Sequence, residues 1–150
     1  MENIFIINFI LLWLVLIFNL LLTISLIRKF NLMQSNHVNG LETGIPAPGF
    51  SAQGINGETV RSEFFKGKRL AIVFISPLCS PCRDMLPKIE KLYSVAREKN
   101  IEIVGMSAGN LEDTKEMVVE MGISMLVFAA PPEKNPVFKD FKVRGTPSFC

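Results

Sequence analysis

The chain has 150 residues, 49% of them hydrophobic, and a formal net charge of +2. This length leaves room for one membrane anchor and one small domain. Lysine and arginine are scattered among acidic residues instead of forming a stripe, so we expect no nucleic acid partner. Three cysteines are too few for a disulfide-stapled scaffold and indicate one redox pair and one further thiol.

The first predicted element is an apolar segment without charge, from Ile4 to Ile27. As a helix it would be about 36 Å long, and the hydrocarbon core of a bilayer is about 30 Å thick, so it can span a membrane with some tilt. No small-residue cleavage site follows, because Arg28 and Lys29 come next. We therefore predict a retained transmembrane anchor over residues 1–30.

Residues 31–49 are polar and rich in Asn, Gly and Pro, which predicts a tether between the anchor and a folded domain. The single histidine, His37, lies in this tether. A metal site needs several ligands and no second one is near His37, so we interpret it as a solvated surface residue.

Strands and helices alternate over residues 50–150. The predicted elements are a hairpin at Phe50–Val60, strands at Leu70–Ile75, Ile101–Ser107 and Met125–Ala129, helices at Cys82–Lys99 and Leu111–Met121, a helical turn at Pro136–Phe141, and a last strand from Val143. The apolar stripe of the first helix is Met85, Ile89, Leu92 and Ala96, and that of the second is Leu111, Thr114, Met117, Val118 and Met121. This alternation predicts an α/β domain with crossover connections.

The segment Cys79-Ser80-Pro81-Cys82 is the most informative part of the chain, because two thiols at this spacing can close a disulfide across one helical turn. It follows the buried strand Leu70–Ile75, which Ser76 and Pro77 end, so the cysteines open the next helix. Unpaired N–H groups and the positive end of the helix dipole would stabilise a thiolate on Cys79 and lower the pKa of that thiol. Such a thiol attacks disulfides at neutral pH.

Several motifs in a fixed order resemble the thioredoxin-fold proteins of the TlpA and ResA type. They are Gly44–Phe50, Ser76–Cys82, Pro87 and Val143–Pro147, and the resemblance covers residues 44–150. The uncharged anchor and the Ser-Pro-Leu-Cys context are most similar to MauD-like proteins, which are methylamine dehydrogenase accessory proteins. The resemblance implies a thioredoxin-like fold over residues 50–150, preceded by one transmembrane helix, with a helix kinked at Pro87.

The resemblance also implies a role for each site residue. Cys79 would be the exposed nucleophile, and Cys82 the resolving thiol that attacks the mixed disulfide formed with a client. Pro81 would stiffen the turn, and Thr146-Pro147 would form a cis peptide whose backbone pairs with a substrate strand. The redox-active disulfide would be the only redox group, with no separate cofactor. The partners implied are protein dithiol or disulfide clients, a redox partner and the lipid bilayer.

The chain departs from the family pattern at three positions. Thioredoxin has a buried carboxylate where this chain has Val73, and ResA-like proteins have a glutamate where it has Met85. Asp84 is close in sequence but fits a surface position, so we expect the resolving step to depend on water or on Cys79 itself. Leu78 replaces the usual tryptophan and predicts an apolar rim suited to an unfolded or apolar client.

The chain ends at Cys150, three residues past Pro147, where the family fold continues into another strand and a packing helix. We therefore expect a domain truncated at its C-terminus, with sheet surface and apolar faces exposed. Cys150 would then be a strand thiol with no catalytic role.

Two arguments about topology disagree. The positive-inside rule, applied to Arg28 and Lys29, places the domain in the cytoplasm. A dithiol domain is most useful where disulfides persist, outside the cytoplasmic membrane. Two charges are a thin basis for topology, so we expect a single-pass protein of the cell membrane with an extracytoplasmic domain.

The sequence therefore predicts a membrane-tethered thiol-disulfide oxidoreductase that acts on protein disulfides, for example in the maturation of a cysteine-rich partner. The alternative from another class is a metal-handling or non-catalytic assembly factor that binds Cu(I) through the same two thiolates. We reject a peroxidase function because the Pro-x-x-x-Thr-x-x-Cys pattern of peroxiredoxins is absent around Cys79.

Overall fold

A computed structural model describes residues 2–35 and 40–150, and the chain divides into two compact units, residues 1–38 and 39–150. The first unit contains one helix, α1 (Glu2–Ser35). Its segment Asn3–Arg28 has a mean hydropathy of 2.8 and is long and apolar enough to cross a membrane. Inside it, the Thr23 hydroxyl donates to the Asn19 carbonyl at 2.9 Å, which satisfies a polar group that lipid could not.

The predicted tether, residues 31–49, differs from the structure at both of its ends. Helix α1 continues to Ser35, because residues 31–35 contain neither glycine nor proline to stop it. The other end belongs to the domain: Gly40 is buried and donates its N–H to the carbonyl of Lys142, and Leu41 packs on the apolar core. His37 lies outside the described residues.

The second unit is one six-stranded sheet with helices on both faces. Its elements are β1 (Ser51–Gly54), β2 (Thr59–Arg61), a 3₁₀ helix (Ser62–Phe65), β3 (Arg69–Ile75), α2 (Ser80–Glu98), β4 (Ile101–Ser107), α3 (Leu111–Glu120), β5 (Leu126–Ala129), α4 (Val137–Asp140) and β6 (Ser148–Phe149). The strand order is β2-β1-β5-β4-β3-β6, and the three central strands are parallel. This arrangement confirms the predicted α/β fold with crossover helices.

The last strand begins later than predicted. Residues from Val143 do not pair, because the Val143 N–H caps the Phe138 carbonyl behind α4. Strand β6 begins only at Ser148, after the cis Thr146-Pro147 peptide, and pairs antiparallel with β3.

Successive side chains along each strand point to opposite faces of the sheet, and each face carries its own apolar core. One face is rich in phenylalanine and packs against α4 and the 3₁₀ helix. The other face packs against α2 and α3 and is mostly aliphatic, with methionines. In α3 the predicted stripe is confirmed, with Thr114, Met117 and Val118 buried.

The predicted stripe of α2 is wrong in part. The buried side chains of the helix are Cys82, Leu86 and Ile89, Met85 packs at the edge of their cluster, and Leu92 is 59% exposed. The helix begins at Ser80 instead of Cys82. Cys82, Leu86 and Ile89 follow one another at spacings of four and three residues, so they share the helix face that is turned toward the sheet. The second cysteine is therefore itself a core residue.

Candidate active site

The two cysteines form a disulfide at the first turn of α2, with their Cα atoms 5.2 Å apart. Cys79 is the N-cap residue, and its Sγ accepts the N–H of Cys82 at 3.2 Å. Its carbonyl accepts N–H groups from Cys82 and Arg83 at 3.0 and 3.2 Å. Pro81 lies in this first turn, where a missing N–H costs nothing because such groups lack helical partners. Cys79 therefore caps the helix through its sulfur.

The two sulfurs differ in exposure. Cys82 is fully buried, in contact with the cluster that includes Ile75 and Leu86, whereas Cys79 is only half-buried. Next to it, Leu78 is 96% exposed. The Cys79 sulfur is accessible from solvent and that of Cys82 is not, which is the asymmetry that the predicted nucleophile and resolving thiol require.

A distant loop completes the site. The Thr146-Pro147 peptide is cis, as predicted, and the Thr146 carbonyl oxygen lies 3.4 Å from the Cys79 Sγ. In the disulfide this sulfur carries no hydrogen, so the approach is a contact, and after reduction the thiol can donate to that carbonyl. Thr146 is thus the backbone position that borders the reactive sulfur.

The loop after β4 packs closely against Pro77 in the loop that carries Cys79, a contact that the sequence analysis did not predict. A Cβ placed on Gly109 would lie 2.6 Å from the Cγ of Pro77. The Gly109 N–H donates to the buried Ser107 hydroxyl at 3.1 Å, and that oxygen also accepts the Thr114 hydroxyl at 2.8 Å. A glycine just after a predicted strand was the available signal, but its neighbour Pro77 is distant in sequence.

Charged groups near the dithiol are at the surface. The Arg83 guanidinium binds both carboxylate oxygens of Glu120, at 3.3 and 2.7 Å, and joins α2 to α3. Hydrogen bonding and charge in this pair lower the pKa of Glu120 and raise that of Arg83. Asp84 is exposed, in agreement with its predicted surface position.

At the two positions where the family has a proton acceptor, this chain has an apolar side chain in an apolar cluster. Val73 is buried in the same cluster as Cys82, and Met85 packs at the edge of that cluster. Among the residues that the structure describes, the buried charged side chain is Glu102, at the opposite end of the sheet. It accepts the Tyr93 hydroxyl at 3.0 Å and lies 3.7 Å from the Lys68 Nζ.

An open groove with a volume of about 610 Å³ includes Thr146 in its lining. The same residue contacts the Cys79 Sγ through its carbonyl oxygen, so the groove and the disulfide share this neighbour. Its apolar walls come from Ala108, Pro132, Phe138 and Val143, and its charged residues are Lys139, Lys142 and Arg144.

Within residues 2–35 and 40–150 no group of three or more His, Cys, Asp or Glu side chains could hold a metal ion. The two thiols that a Cu(I) site would need are joined in the disulfide. No His, Cys, Asp or Glu side chain in that part of the chain therefore completes a group of three ligands with the pair.

A family model described as AhpC/TSA matches residues 43–149. The chain belongs to the AhpC/TSA family. Among curated relatives, the thiol-disulfide oxidoreductase ResA of Oceanobacillus iheyensis is 33% identical over 112 residues, 70% of this chain and 56% of the relative. The thioredoxin-like protein YneN of Bacillus subtilis is 28% identical over 110 residues, 73% of this chain and 64% of the relative. The chain thus spans somewhat more than half the length of these two relatives.

Solved structures of similar fold include proteins whose names describe thiol-disulfide chemistry. The thioredoxin domain of a thiol-disulfide oxidoreductase from Bacteroides vulgatus has a TM-score of 0.66 and 27% identity, covering 73% of this chain and 79% of that one. A thiol:disulfide interchange protein from a Bacteroides species has a TM-score of 0.64 and 28% identity, covering 73% of both. These similarities confirm the predicted thioredoxin-like fold, and the relatives' names agree with the TlpA and ResA resemblance. The MauD-like detail stays a prediction.

Proposed function

We propose that this AhpC/TSA-family chain is a membrane-tethered thiol-disulfide oxidoreductase that acts on protein disulfides. The observation that supports it most is the asymmetry of the dithiol: the sulfur of Cys79 caps a helix at the surface, while that of Cys82 is fully buried behind it. The helix N-terminus stabilises negative charge on Cys79, which makes it the attacking group.

The proposed reaction has two exchange steps. The Cys79 thiolate attacks one sulfur of a client disulfide, forms a mixed disulfide, and the client's other sulfur leaves as a thiolate that takes up a proton. Cys82, after losing its proton, attacks the Cys79 sulfur and closes the Cys79–Cys82 disulfide, which releases the second client thiol. Two electrons pass from the dithiol to the client, and a redox partner must restore them. In reverse, the same steps oxidise a client dithiol.

The proton of Cys82 has no side-chain acceptor at either family position, since Val73 and Met85 occupy them. We assign its removal to water, because in the mixed disulfide the Cys79 sulfur is bonded to the client sulfur and carries no charge with which to accept a proton. Asp84 is then not the base. In rapid-quench experiments, Asp84→Asn should leave the rate of resolution within a few fold of the wild type, and a hundredfold loss would refute this step.

The anchor and the chemistry together favour an extracytoplasmic position, where disulfides persist, against the weak indication from Arg28 and Lys29. Helix α1 is long enough for the span, and it would hold the domain close to clients that mature at the membrane. A cysteine-rich partner undergoing maturation is the kind of client that this placement fits.

The test is to trap the mixed disulfide. The full chain carrying Cys82→Ser and Cys150→Ser keeps Cys79 as its only thiol, and it should form reductant-sensitive adducts with specific proteins in membranes. The matched control, Cys79→Ser with Cys150→Ser, keeps only the buried thiol and should form none. The compartment of the trapped proteins then gives the topology. If both variants gave the same adducts or none, the proposed exchange reaction would be refuted.

A further inference from the structure

We propose that the groove beside Thr146 binds the client segment that flanks the disulfide, and that its three cations select segments with acidic side chains. This inference rests on the proposed function and specifies its substrate class. The occupant is a polypeptide stretch that combines an apolar residue with aspartate or glutamate near a cysteine.

The position of the groove is the first argument. Thr146 both borders the groove and places its carbonyl oxygen 3.4 Å from the Cys79 Sγ. A client whose sulfur reaches Cys79 can therefore lay the residues next to its cysteine along this opening. The groove, about 610 Å³, has room for several side chains.

The charge of the groove is the second argument. Lys139, Lys142 and Arg144 line it and are exposed, and no acidic residue shares the lining. The side-chain ion pairs within the described ranges, Lys68 with Glu102 and Arg83 with Glu120, involve none of these three. Three cations without counter-charges create a positive potential over the opening, which attracts acidic segments and repels basic ones.

The neighbouring carboxylates are not part of the groove lining. Asp140 is next to Lys139 in sequence but lines a different cavity, which it shares with Arg61 and Glu63. Glu133 is exposed and lies outside the lining. The cations therefore face the opening without a built-in acidic partner.

The apolar walls are the third argument, because they favour a peptide over a free anion or a lipid headgroup. Phe138 and Val143 form part of the lining, and the exposed Leu78 immediately precedes Cys79. A small anion would gain nothing from these surfaces, whereas an apolar side chain next to an acidic one can use both. The two kinds of contact together define a peptide site.

The experiment measures how charge affects the first exchange step. The full chain with Cys82→Ser and Cys150→Ser, in uncharged detergent, reacts with three peptides that differ only in two residues beside an activated cysteine disulfide: aspartate, asparagine or lysine. Release of the leaving thiol gives the rate, and each rate is divided by that for the neutral small disulfide dithiodipyridine. We expect the aspartate peptide to react about tenfold faster than the lysine peptide at low salt. Near 1 M salt, where the Debye length is about 3 Å, the ratio should approach one.

Two matched variants locate the effect. Replacing Lys139, Lys142 and Arg144 by glutamine should bring the ratio of the aspartate to the lysine peptide close to one. Replacing Lys88, Lys91 and Lys115 by glutamine removes the same charge from exposed positions outside the groove and should preserve the ratio.

The outcomes separate the two proposals. Equal rates for the three peptides in the unmodified groove, or an unchanged ratio in the groove variant, overturn the groove proposal and leave the exchange reaction standing. Absence of any reaction with dithiodipyridine instead contradicts the proposed function. The peptide comparison needs no groove variant, so it remains decisive even if that variant fails to fold.

Discussion

The two ends of the central strands β3 and β4 differ in how far their polar groups are exposed and paired. At the end where β3 stops, a half-buried sulfur and an exposed leucine face solvent beside an open groove. At the other end, Glu102 is buried but accepts the Tyr93 hydroxyl and has Lys68 nearby. The end with the dithiol, which is the reactive end under the proposed function, is open to solvent, and the closed end has its polar groups paired.

The register shows how far the buried carboxylate is from the dithiol. Glu102 pairs with Leu70, whereas the position of thioredoxin's acid, Val73, pairs with Gly105 three residues further along. At about 3.3 Å per residue the two positions are about 10 Å apart along the strand, and they belong to opposite faces of the sheet. Glu102 is therefore too far from the dithiol to act as its proton acceptor, and we interpret this buried acid as structural.

The largest expected effect comes from placing a carboxylate at the reactive end. Val73→Asp would bury an acid among apolar side chains next to Cys82, so we expect the pKa of that carboxyl to be raised and the domain to lose about 3 kcal/mol of stability. Pulse proteolysis in urea measures the loss. The same variant should speed resolution of the mixed disulfide, because it supplies a proton acceptor. Val73→Asn has the same shape without the charge and is the control; equal resolution rates in both variants would contradict this explanation.

The contact between the two loops of the reactive end gives the next effect. Gly109→Ala would place a Cβ 2.6 and 2.8 Å from ring carbons of Pro77, and a proline ring cannot turn aside. We expect a cost of about 1–3 kcal/mol and slower exchange, because the loop that carries Cys79 must shift. Gly49→Ala is the control: its nearest neighbour would be the Ser62 hydroxyl at 3.5 Å, an ordinary contact, so stability should stay within about 0.5 kcal/mol. Equal behaviour of the two variants would show that the loops adjust freely.

At the closed end a smaller effect should leave the chemistry untouched. Tyr93→Phe removes the hydrogen bond to the buried Glu102, and we expect a loss of about 1–2 kcal/mol with an unchanged exchange rate. Glu102→Gln keeps an acceptor for the Tyr93 hydroxyl and should cost less. A slower exchange reaction in Tyr93→Phe would show that the two ends are coupled.

The smallest effect is a dependence of stability on alkaline pH. Burial, together with the hydrogen bond and charge of Glu102, raises the pKa of Tyr93 above its ordinary value of 10.0. The folded state therefore holds this proton more tightly than the unfolded chain. The resulting stability is fully present below pH 10 and is lost as the pH rises through the folded pKa. Denaturation curves should show the advantage of wild type over Tyr93→Phe shrinking above pH 10, and a constant difference would contradict the assignment.

Several elements could be predicted because their signals are local. The run Leu70–Ile75 and the following Ser-Pro gave the strand and its end, and β3 and the start of α2 lie within two residues of these bounds. Errors appeared where a distant contact decides. Residues at the end of the predicted tether belong to the domain, because Leu41 packs on an apolar core. The strand expected from Val143 starts later, because the Val143 N–H donates to the Phe138 carbonyl at the end of α4.

By itself the sequence determined that a dithiol opens a helix after a buried strand, that an apolar helix precedes the domain, and, through the family resemblance, that Thr146-Pro147 belongs to the site. Only the tertiary structure decided that Cys82 is part of the apolar core, that the Thr146 carbonyl borders the Cys79 sulfur across 67 residues of chain, and that Gly109 abuts Pro77. Spacing along the chain sets which groups one helical turn can join. Exposure and approach between distant loops depend on how helices pack on the sheet, which no local pattern encodes.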